Sequence, residues 1–376
     1  MADLQAPLGI YIHIPYCSSR CGYCDFNTYV MRDPRARASY LQAALAEIRL
    51  ARAQLGARTV STVFFGGGTP TLLGEQALLR LLSQVRDSFG LQENAEVTTE
   101  ANPETVDPRM LTALREGGFT RLSLGMQSAV EHVLGTLDRV HTPGRAVLAA
   151  RQARDAGLPH VSVDLIYGTP GESDADWQRS LEAALSAGVD HVSAYGLTVE
   201  PGTALAAAVS CGQLPAPDQD AQARRFRIAE QRLSAAGFEW YELSSWAAGP
   251  DARCRHNLGY WRSADWWGVG AGAHSHVAGV RWWNVRHPAE YARRLHAGEP
   301  PTAGQEVLGP AELALEAVML GLRERRGLKL ESLSEAGARA AAKQAAAGRV
   351  RFQDGRVVLT LEGRLFADEV IRDLSG

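Results

Sequence analysis

In the stretch "GIYIHIPYCSSRCGYC", from Gly9 to Cys24, a strand-like run leads directly into a loop of cysteines. Its first half is apolar and β-branched, which is typical of a buried parallel strand. Its second half carries Cys17, Cys21 and Cys24, three of the five cysteines of the chain. Thiolates in this C-x3-C-x2-C spacing are ligands for zinc or for an iron–sulfur cluster. A structural zinc site needs four ligands, and no fourth Cys or His follows at zinc-finger distance, so the spacing favours a [4Fe–4S] cluster with one open iron. A degenerate zinc knuckle and three unrelated cysteines are the alternatives.

The composition is that of an ordinary folded protein. The chain has 376 residues, 45% apolar and 22% charged, with a formal net charge of −3. These values are ordinary for a globular protein of more than one domain, and they provide no charge excess for a nucleic-acid partner. The N-terminal "MADLQAPLG" lacks the regions of a secretory signal, and no apolar run approaches the ~18 residues of a membrane helix. We therefore expect a cytoplasmic protein without a transmembrane segment, in which clustered cysteines indicate metal or redox chemistry rather than disulfides.

Strand-like and helix-like segments alternate from the N-terminus to about residue 237, in six strand–helix units. The strand candidates after the first are "TVFF", "AEVTTE", "TRLSLGMQ", "HVSVDLIYG" and "HVSAYGLTVE". This alternation predicts an α/β fold with a parallel sheet, open or curled toward a barrel.

Composition and helical periodicity change at two points along the sequence. These changes predict three parts, residues 1–237, 238–303 and 304–376. The middle part is a connecting segment with seven of the eight tryptophans. In the last part, "AELALEAVMLGLRER" and "SLSEAGARAAAKQAAAG" predict two helices. The stretch "RVRFQDGRVVLTLEG" then predicts a hairpin about Asp354 and Gly355, followed by a terminal helix. Two helices with such a hairpin resemble a small α+β winged-helix domain, which we expect to dock a partner rather than to read DNA.

The stretch "YIHIPYCSSRCGYC" is similar to the signature of the radical S-adenosylmethionine (SAM) superfamily. This resemblance implies a partial (β/α)6 barrel with the cluster in the loop after the first strand. It also implies that the open iron is chelated by the amino and carboxylate groups of SAM. The six strand–helix units agree with that fold.

Within this superfamily the chain resembles the coproporphyrinogen dehydrogenases and their relatives over nearly its whole length. The resemblance implies a set of SAM contacts: Gly67, Gly68, Thr69, Glu100, Gln127, Arg139 and Asp164. It also places Tyr11 against substrate or a second SAM and His13 near the cluster, with Ile166 and Thr198 lining the same cavity.

Each of these assignments has an ordinary structural alternative. The "GGGTP" motif, Gly66 to Pro70, could be a tight turn, and each polar residue could be solvated. A carboxylate inside "VSVDLIYG" is harder to dismiss, because a buried unpaired charge costs roughly several kcal/mol. Arg139 is therefore a candidate partner of Asp164, or it could reach the SAM carboxylate.

The dehydrogenases carry a further cysteine at the position of Phe26, and this chain does not. That departure, together with "HNLGYW", resembles the haem chaperones of the HemW family. Their motif H-N-x-x-Y-W is present as His256, Asn257, Tyr260 and Trp261. The resemblance implies haem binding, with His256 as axial imidazole and Tyr260 and Trp261 as aromatic surface. The alternative is that His256 and Asn257 tie down a loop while the aromatic residues close the barrel.

The sequence therefore predicts a haem chaperone on a radical SAM scaffold, which transfers haem to acceptor proteins. Respiratory, membrane-bound proteins are candidate acceptors. The alternative is a radical SAM oxidoreductase acting on coproporphyrinogen III or another porphyrin, so whether the protein is an enzyme stays open. Cys254 is either a second haem contact or, like Cys211, a small buried residue, and His274 and His276 are weaker ligand candidates.

Overall fold

The computed structural model describes residues 8–30 and 33–376, and most of the N-terminal stretch considered as a secretory signal lies outside them. Strands and helices alternate through the first part of the chain. Its strands are β1 (Leu8–Ile14), β2 (Tyr16–Cys17), β3 (Tyr29–Val30), β4 (Val60–Gly67), β5 (Leu91–Ala101), β6 (Arg121–Gln127), β7 (His160–Tyr167) and β8 (His191–Gly196). Its helices are α1 (Pro34–Leu55), α2 (Glu75–Phe89), α3 (Pro108–Glu116), α4 (Glu131–Thr136), α5 (Arg145–Asp155), α6 (Asp174–Ser186), α7 (Ala204–Ser210) and α8 (Gln219–Ala235).

The rest of the chain adds shorter elements. Its strands are β9 (Glu239–Glu242), β10 (Ser245–Ala247), β11 (Asp265–Val269), β12 (His274–Val277), β13 (Val280–Asn284), β14 (Thr302–Val307), β15 (Leu328–Lys329), β16 (Val350–Gln353) and β17 (Arg356–Leu359). Its helices are α9 (Arg255–Trp261), α10 (Pro288–His296), α11 (Pro310–Leu322), α12 (Glu335–Ala346), α13 (Leu361–Leu365) and α14 (Ala367–Ser375). Across the described ranges, no helix combines the length and apolar composition of a membrane span.

A single mixed sheet of 12 strands forms the framework, in the order β14-β13-β12-β11-β1-β4-β5-β6-β7-β8-β10-β9. The six predicted strands, β1 and β4 to β8, are parallel neighbours joined by helices. This is the predicted partial (β/α)6 barrel, and the order begins and ends at different strands rather than closing on itself. One parallel strand was not predicted, since β11 pairs with the other side of β1.

The two faces of the parallel strands differ because apolar and polar residues alternate along them. In β7, Val161 and Val163 are fully buried in the core beneath the helices, whereas Ser162 and Asp164 line an internal cavity. A parallel strand covered on both faces is usually apolar throughout. The polar positions therefore mark the inside of the barrel.

Residues at both ends of α6 define its limits. Ser173 caps α6 in a capping box with Asp176, and Gly188 follows its end with a φ of 74°. This exchange satisfies free N–H groups of the first turn, and the left-handed glycine stops the helix.

The segment from residue 238 to 303 extends the main sheet at both edges. Strands β9 and β10 continue it beyond β8, and β11 to β14 continue it beyond β1. The "HNLGYW" motif forms most of helix α9.

The C-terminal part has its own apolar core, to which Leu322, Val357 and Val370 contribute from α11, β17 and α14. Asp354 and Gly355 have φ values of 49° and 71° between β16 and β17. Positive φ at both turn residues is typical of a two-residue hairpin, so the predicted hairpin is confirmed. This is the expected small α+β domain, and the boundaries of the three parts stay a prediction.

Candidate functional site

One cavity of about 690 Å³ occupies the inside of the barrel. It runs from the carboxyl ends of the parallel strands, where the cysteine loop lies, to their amino ends, where α9 lies. It brings together most of the predicted site residues: Tyr11, Cys17, Cys21, Cys24, Gly67, Gly68, Thr69, Glu100, Gln127, Arg139, Asp164, Ile166, Thr198, His256, Asn257 and Tyr260.

The three thiols of the cysteine loop are free and partly exposed at the upper end of this cavity. The Arg139 Nη1 donates to the Cys21 sulfur at 3.5 Å, and the Thr69 hydroxyl donates to the Cys17 sulfur at 3.8 Å. Donors aimed at sulfur favour thiolates, although burial raises the pKa of Cys17 and Cys24. Among the described residues, no group of three His, Cys, Asp or Glu side chains is close enough together to hold one metal ion.

His13 and Asn27 hold the base of the cysteine loop. His13 Nε2 lies 3.0 Å from the Asn27 carbonyl, and its Nδ1 lies 2.9 Å from the Tyr11 hydroxyl. Because a carbonyl only accepts, Nε2 carries the proton and the Tyr11 hydroxyl donates to Nδ1. The Asn27 amide in turn donates to the carbonyls of Ala271 and Arg286. His13 thus links the loop to Tyr11 in the cavity, although it does not itself line it.

The glycine motif packs directly on the end of β1 and on β2, which lead into the cysteine loop. Backbone N–H groups of Gly68 and Thr69 donate to the carbonyls of Ile14 at 2.8 Å and Tyr16 at 2.7 Å. A Cβ on Gly68 would lie 2.5 Å from the Tyr16 carbonyl oxygen, and one on Gly67 would lie 2.4 Å from the His13 ring. This packing requires glycine whether or not SAM binds there, so the SAM contact stays a prediction.

Two carboxyl groups share the middle of the cavity. Glu100 accepts from the Gly67 N–H at 3.1 Å, and Asp164 accepts from the Ser123 hydroxyl at 2.9 Å. Burial, reinforced by the charge of Asp164, raises the pKa of Glu100 to about 8, and burial likewise raises the pKa of Asp164. Neighbouring Gln127 has a φ of 62°, an uncommon conformation for a residue with a Cβ that is concentrated at functional sites. The arrangement can bind hydroxyl groups or a cationic ligand.

Arg139 bridges the cysteine loop and β6 rather than pairing with Asp164. Its Nη2 donates to the Gly125 carbonyl at 2.8 Å and its Nη1 to Cys21. Its buried Nε has no hydrogen-bond partner among the described residues. The direct pairing with Asp164 considered from the sequence is not formed, and the free N–H leaves Arg139 able to bind a ligand carboxylate.

Helix α9 closes the lower end of the cavity and presents His256 to it. The imidazole lies between the Thr62 hydroxyl, 2.8 Å from Nδ1, and the Tyr260 hydroxyl, 2.9 Å from Nε2. It also stacks on the Phe64 ring with centroids 5.2 Å apart. Burial lowers the pKa of His256 to about 4, so the ring is neutral at physiological pH. A neutral imidazole is the form that ligates metals.

Glu96, a residue that the sequence analysis did not single out, anchors the start of α9. Its carboxylate accepts from the backbone N–H groups of Arg255 at 3.0 Å and His256 at 2.9 Å. The Cys254 thiol, buried as expected, also donates to Glu96, at 3.6 Å. The position of His256 is therefore fixed from the strand side.

Some predicted residues lie elsewhere. Trp261 points away from the cavity and donates from Nε1 to Glu242 at 3.0 Å, and His274 and His276 are also outside the cavity lining. Cys211 is exposed, so its prediction as a buried residue was wrong. Nothing in its helical neighbourhood "AAAVSCG" could indicate which face is covered.

The missed cavity residues share a recognisable signal. Thr98, Ser123, Ser162 and Ser193 occupy alternate positions, facing the cavity, of strands predicted to be buried. That alternation, visible in the repeated "HVS" of β7 and β8, could have identified them.

Family models match both ends of the chain. The model of the radical SAM superfamily matches residues 11–184, and that of the HemN C-terminal domain matches residues 308–366.

The relatives extend the similarity to the whole length. The heme chaperone HemW of Mycobacterium tuberculosis is 53% identical over 372 residues, which are 98% of this chain and 95% of the relative. HemW of Escherichia coli K12 is 39% identical over 289 residues, 75% of each chain. Among solved structures, coproporphyrinogen III oxidase (HemN) of Escherichia coli, a radical SAM enzyme, superimposes with a TM-score of 0.85 at 23% identity. That match covers 99% of this chain and 91% of the other, and it shows the shared fold.

Proposed function

Since the chain belongs to the HemW family of heme chaperones and carries the radical SAM fold, we propose that it binds haem together with a SAM-liganded [4Fe–4S] cluster and transfers the haem to acceptor proteins. One observation supports this best. A single cavity connects the thiols of the cysteine loop to the neutral imidazole of His256. The thiols and the imidazole can therefore contact ligands that are bound in the same cavity.

The upper end of the cavity suits the cluster and SAM. Cys17, Cys21 and Cys24 would hold three irons, and the cluster would supply an open iron for chelation by SAM. Arg139 would bind the SAM carboxylate through its free Nε–H, and Glu100 and Asp164 would accept from the SAM hydroxyl groups. Tyr11, Gly67, Gly68, Thr69 and Gln127 complete the proposed set.

The lower end suits haem. His256 would be the axial ligand through Nε2, which requires the Tyr260 hydroxyl to give up its hydrogen bond to that nitrogen. Thr62 would then accept from Nδ1–H and keep the ring oriented, as partners of ligating histidines commonly do. Tyr260 and Phe64 supply aromatic surface, whereas Trp261 is held by Glu242 and would act on haem only after leaving that contact.

We propose that the protein is cytoplasmic. All five cysteines are free, as is typical of a reducing compartment. Respiratory membrane proteins are the proposed acceptors, and the C-terminal domain is the proposed docking module.

A haem titration tests the proposal. Purified protein should acquire a Soret band with one haem per chain, and His256→Ala should weaken binding about tenfold or more, because an iron–imidazole bond is lost. His276→Ala is the matched control, since this histidine is also buried but lies outside the cavity. Equal titrations of wild type and His256→Ala would exclude the assigned ligand, and absence of any Soret band would exclude the function. Anaerobic oxidation of coproporphyrinogen III by the reconstituted protein would instead establish the oxidoreductase.

A further inference from the structure

The lower half of the cavity contains buried polar side chains that neither the cluster nor the axial ligand uses. Thr98, Arg121 and His191 project into it from β5, β6 and β8, with exposures of 0%, 1% and 3%. Thr98 and Arg121 are direct partners in the β5–β6 register, so their side chains share one face of the sheet. Ser162 on β7 is the register partner of His191, and β7 lies between β6 and β8 in the sheet.

Arg121 is only partly satisfied by the protein. Its Nη2 donates to the carbonyls of Ala252 at 2.9 Å and Arg253 at 3.2 Å, and lies 3.5 Å from Glu96. Its Nε and Nη1 are buried and have no partner within residues 8–30 and 33–376. Glu96 cannot take them as well, because its oxygens already accept from the backbone and thiol at the start of α9.

The hydrogen bonds of His191 define which of its nitrogens carries the proton. The Tyr241 hydroxyl accepts from the Cys254 N–H at 3.1 Å and lies 2.7 Å from His191 Nε2. Since His191 Nε2 is the one acceptor within reach of the Tyr241 O–H among the described residues, Tyr241 donates its proton to Nε2, which leaves the proton of the neutral imidazole on Nδ1. That Nδ1–H has no partner in the described part of the chain, and neither has the Thr98 hydroxyl.

The cavity floor thus presents N–H and O–H donors from three strands without acceptors to match them. Buried donors are costly when unpaired, and protein interiors pair them with a bound group or with water. Since one of them is a guanidinium, an anionic group with several acceptor oxygens satisfies them best. We propose that Thr98, Arg121 and His191 form a carboxylate subsite that receives a propionate side chain of the bound tetrapyrrole. The inference rests on the proposed haem function for the identity of the ligand.

Metal-free protoporphyrin IX and its dimethyl ester test the subsite without involving the iron ligand. Wild-type protein should bind the free acid about tenfold or more tightly than the ester, which lacks the carboxylates. Arg121→Met should abolish this preference by weakening acid binding alone. Arg121→Lys should restore part of it, and Thr98→Val should reduce it severalfold while leaving the Arg121–Glu96 contact in place.

Arg225→Met is the control, because Arg225 is a buried arginine paired with Glu172 outside the cavity. It should keep the preference for the acid. Equal affinity of wild type for acid and ester overturns the subsite even if every Arg121 variant misfolds, and so does a Thr98→Val protein with the full wild-type preference. If haem binds and responds to His256→Ala while acid and ester bind alike, only the subsite fails. If neither porphyrin nor haem binds, the proposed function fails with it.

Discussion

At the scale of single residues, the cysteine loop and the glycine motif are held together by atoms that leave no room for a side chain. Gly68 sits under the Tyr16 carbonyl, and Thr69 donates to it. The binding of any ligand by the cysteine loop therefore depends on the backbone segment that follows β4.

Gly68→Ala should misplace the cysteine loop, because the added methyl carbon would lie 2.5 Å from a backbone oxygen that cannot yield. We expect the iron retained after anaerobic reconstitution to fall severalfold. Gly135→Ala is the control, since a Cβ there meets nothing within 4 Å in helix α4 and should leave iron content unchanged or raise stability by up to about 1 kcal/mol. Equal iron content in both variants would show that this contact does not position the thiols.

The raised pKa of Glu100, about 8, predicts a pH dependence of SAM binding. Below this pKa the carboxyl is neutral, and above it the carboxylate attracts the positively charged ligand. The affinity of reconstituted protein for SAM should therefore rise from about pH 6 and level off above about pH 8, measured by calorimetric titration. Glu100→Gln removes this titration, so the difference between the two proteins should grow with pH. Parallel profiles would contradict the assignment.

At the scale of elements, a buried glutamate joins α1 to the strands on the far side of β1. Glu47 in α1 accepts from the Gly270 N–H at 2.7 Å, the Asn284 amide at 2.7 Å and the Tyr291 hydroxyl at 2.5 Å. These partners lie after β11, at the end of β13 and in α10. The Glu47 side chain therefore fixes the loop after β11. Asn27 of the cysteine loop donates a hydrogen bond to the same loop.

Glu47→Ala should lower the free energy of unfolding by about 2–4 kcal/mol, because three buried donors lose their acceptor. Denaturant unfolding followed by circular dichroism measures this. Glu93→Ala, at an exposed position of β5, should change the free energy by no more than about 0.5 kcal/mol. A similar loss in both variants would mean that the Glu47 contacts contribute little.

At the scale of the whole molecule, the C-terminal part is bonded to the barrel edge. Backbone N–H groups of Leu243 and Arg325 donate to the carbonyls of Arg323 and Tyr241, both at 2.9 Å. Arg364 in α13 adds an ion pair with Glu230 at 2.9 Å and lies over the Trp240 ring, 4.4 Å from its centroid. The C-terminal part is thereby hydrogen-bonded to β9, whose Tyr241 also contacts His191 in the cavity lining.

Arg364→Ala should loosen this junction, at a cost of about 2 kcal/mol for a largely buried cation on an aromatic ring with a charged partner. Amide hydrogen exchange should become faster in residues 310–375 and stay unchanged in β4 to β8. Arg372→Ala, an exposed arginine of α14, serves as the reference and should leave exchange as in wild type. Unaltered exchange in the first variant would assign the junction to its backbone hydrogen bonds alone.

Features that depend on neighbouring residues could be predicted from the sequence alone. The spacing of Cys17, Cys21 and Cys24, the capping residue Ser173 and the turn at Asp354 and Gly355 each specify a local chemistry or geometry. The alternation of strands and helices then predicted the parallel sheet, because such connections fold in few ways.

Contacts between residues far apart in the chain could be seen only in the folded structure. Thr62 meets His256, Glu96 meets the start of α9, and Arg139 meets Cys21 instead of Asp164. The curvature of the sheet turns the polar face of each parallel strand toward the same cavity. The orientation of Trp261 follows from its hydrogen bond to Glu242. Hydrogen bonds of this kind depend on distances and angles within a few tenths of an ångström, which no spacing along the chain specifies.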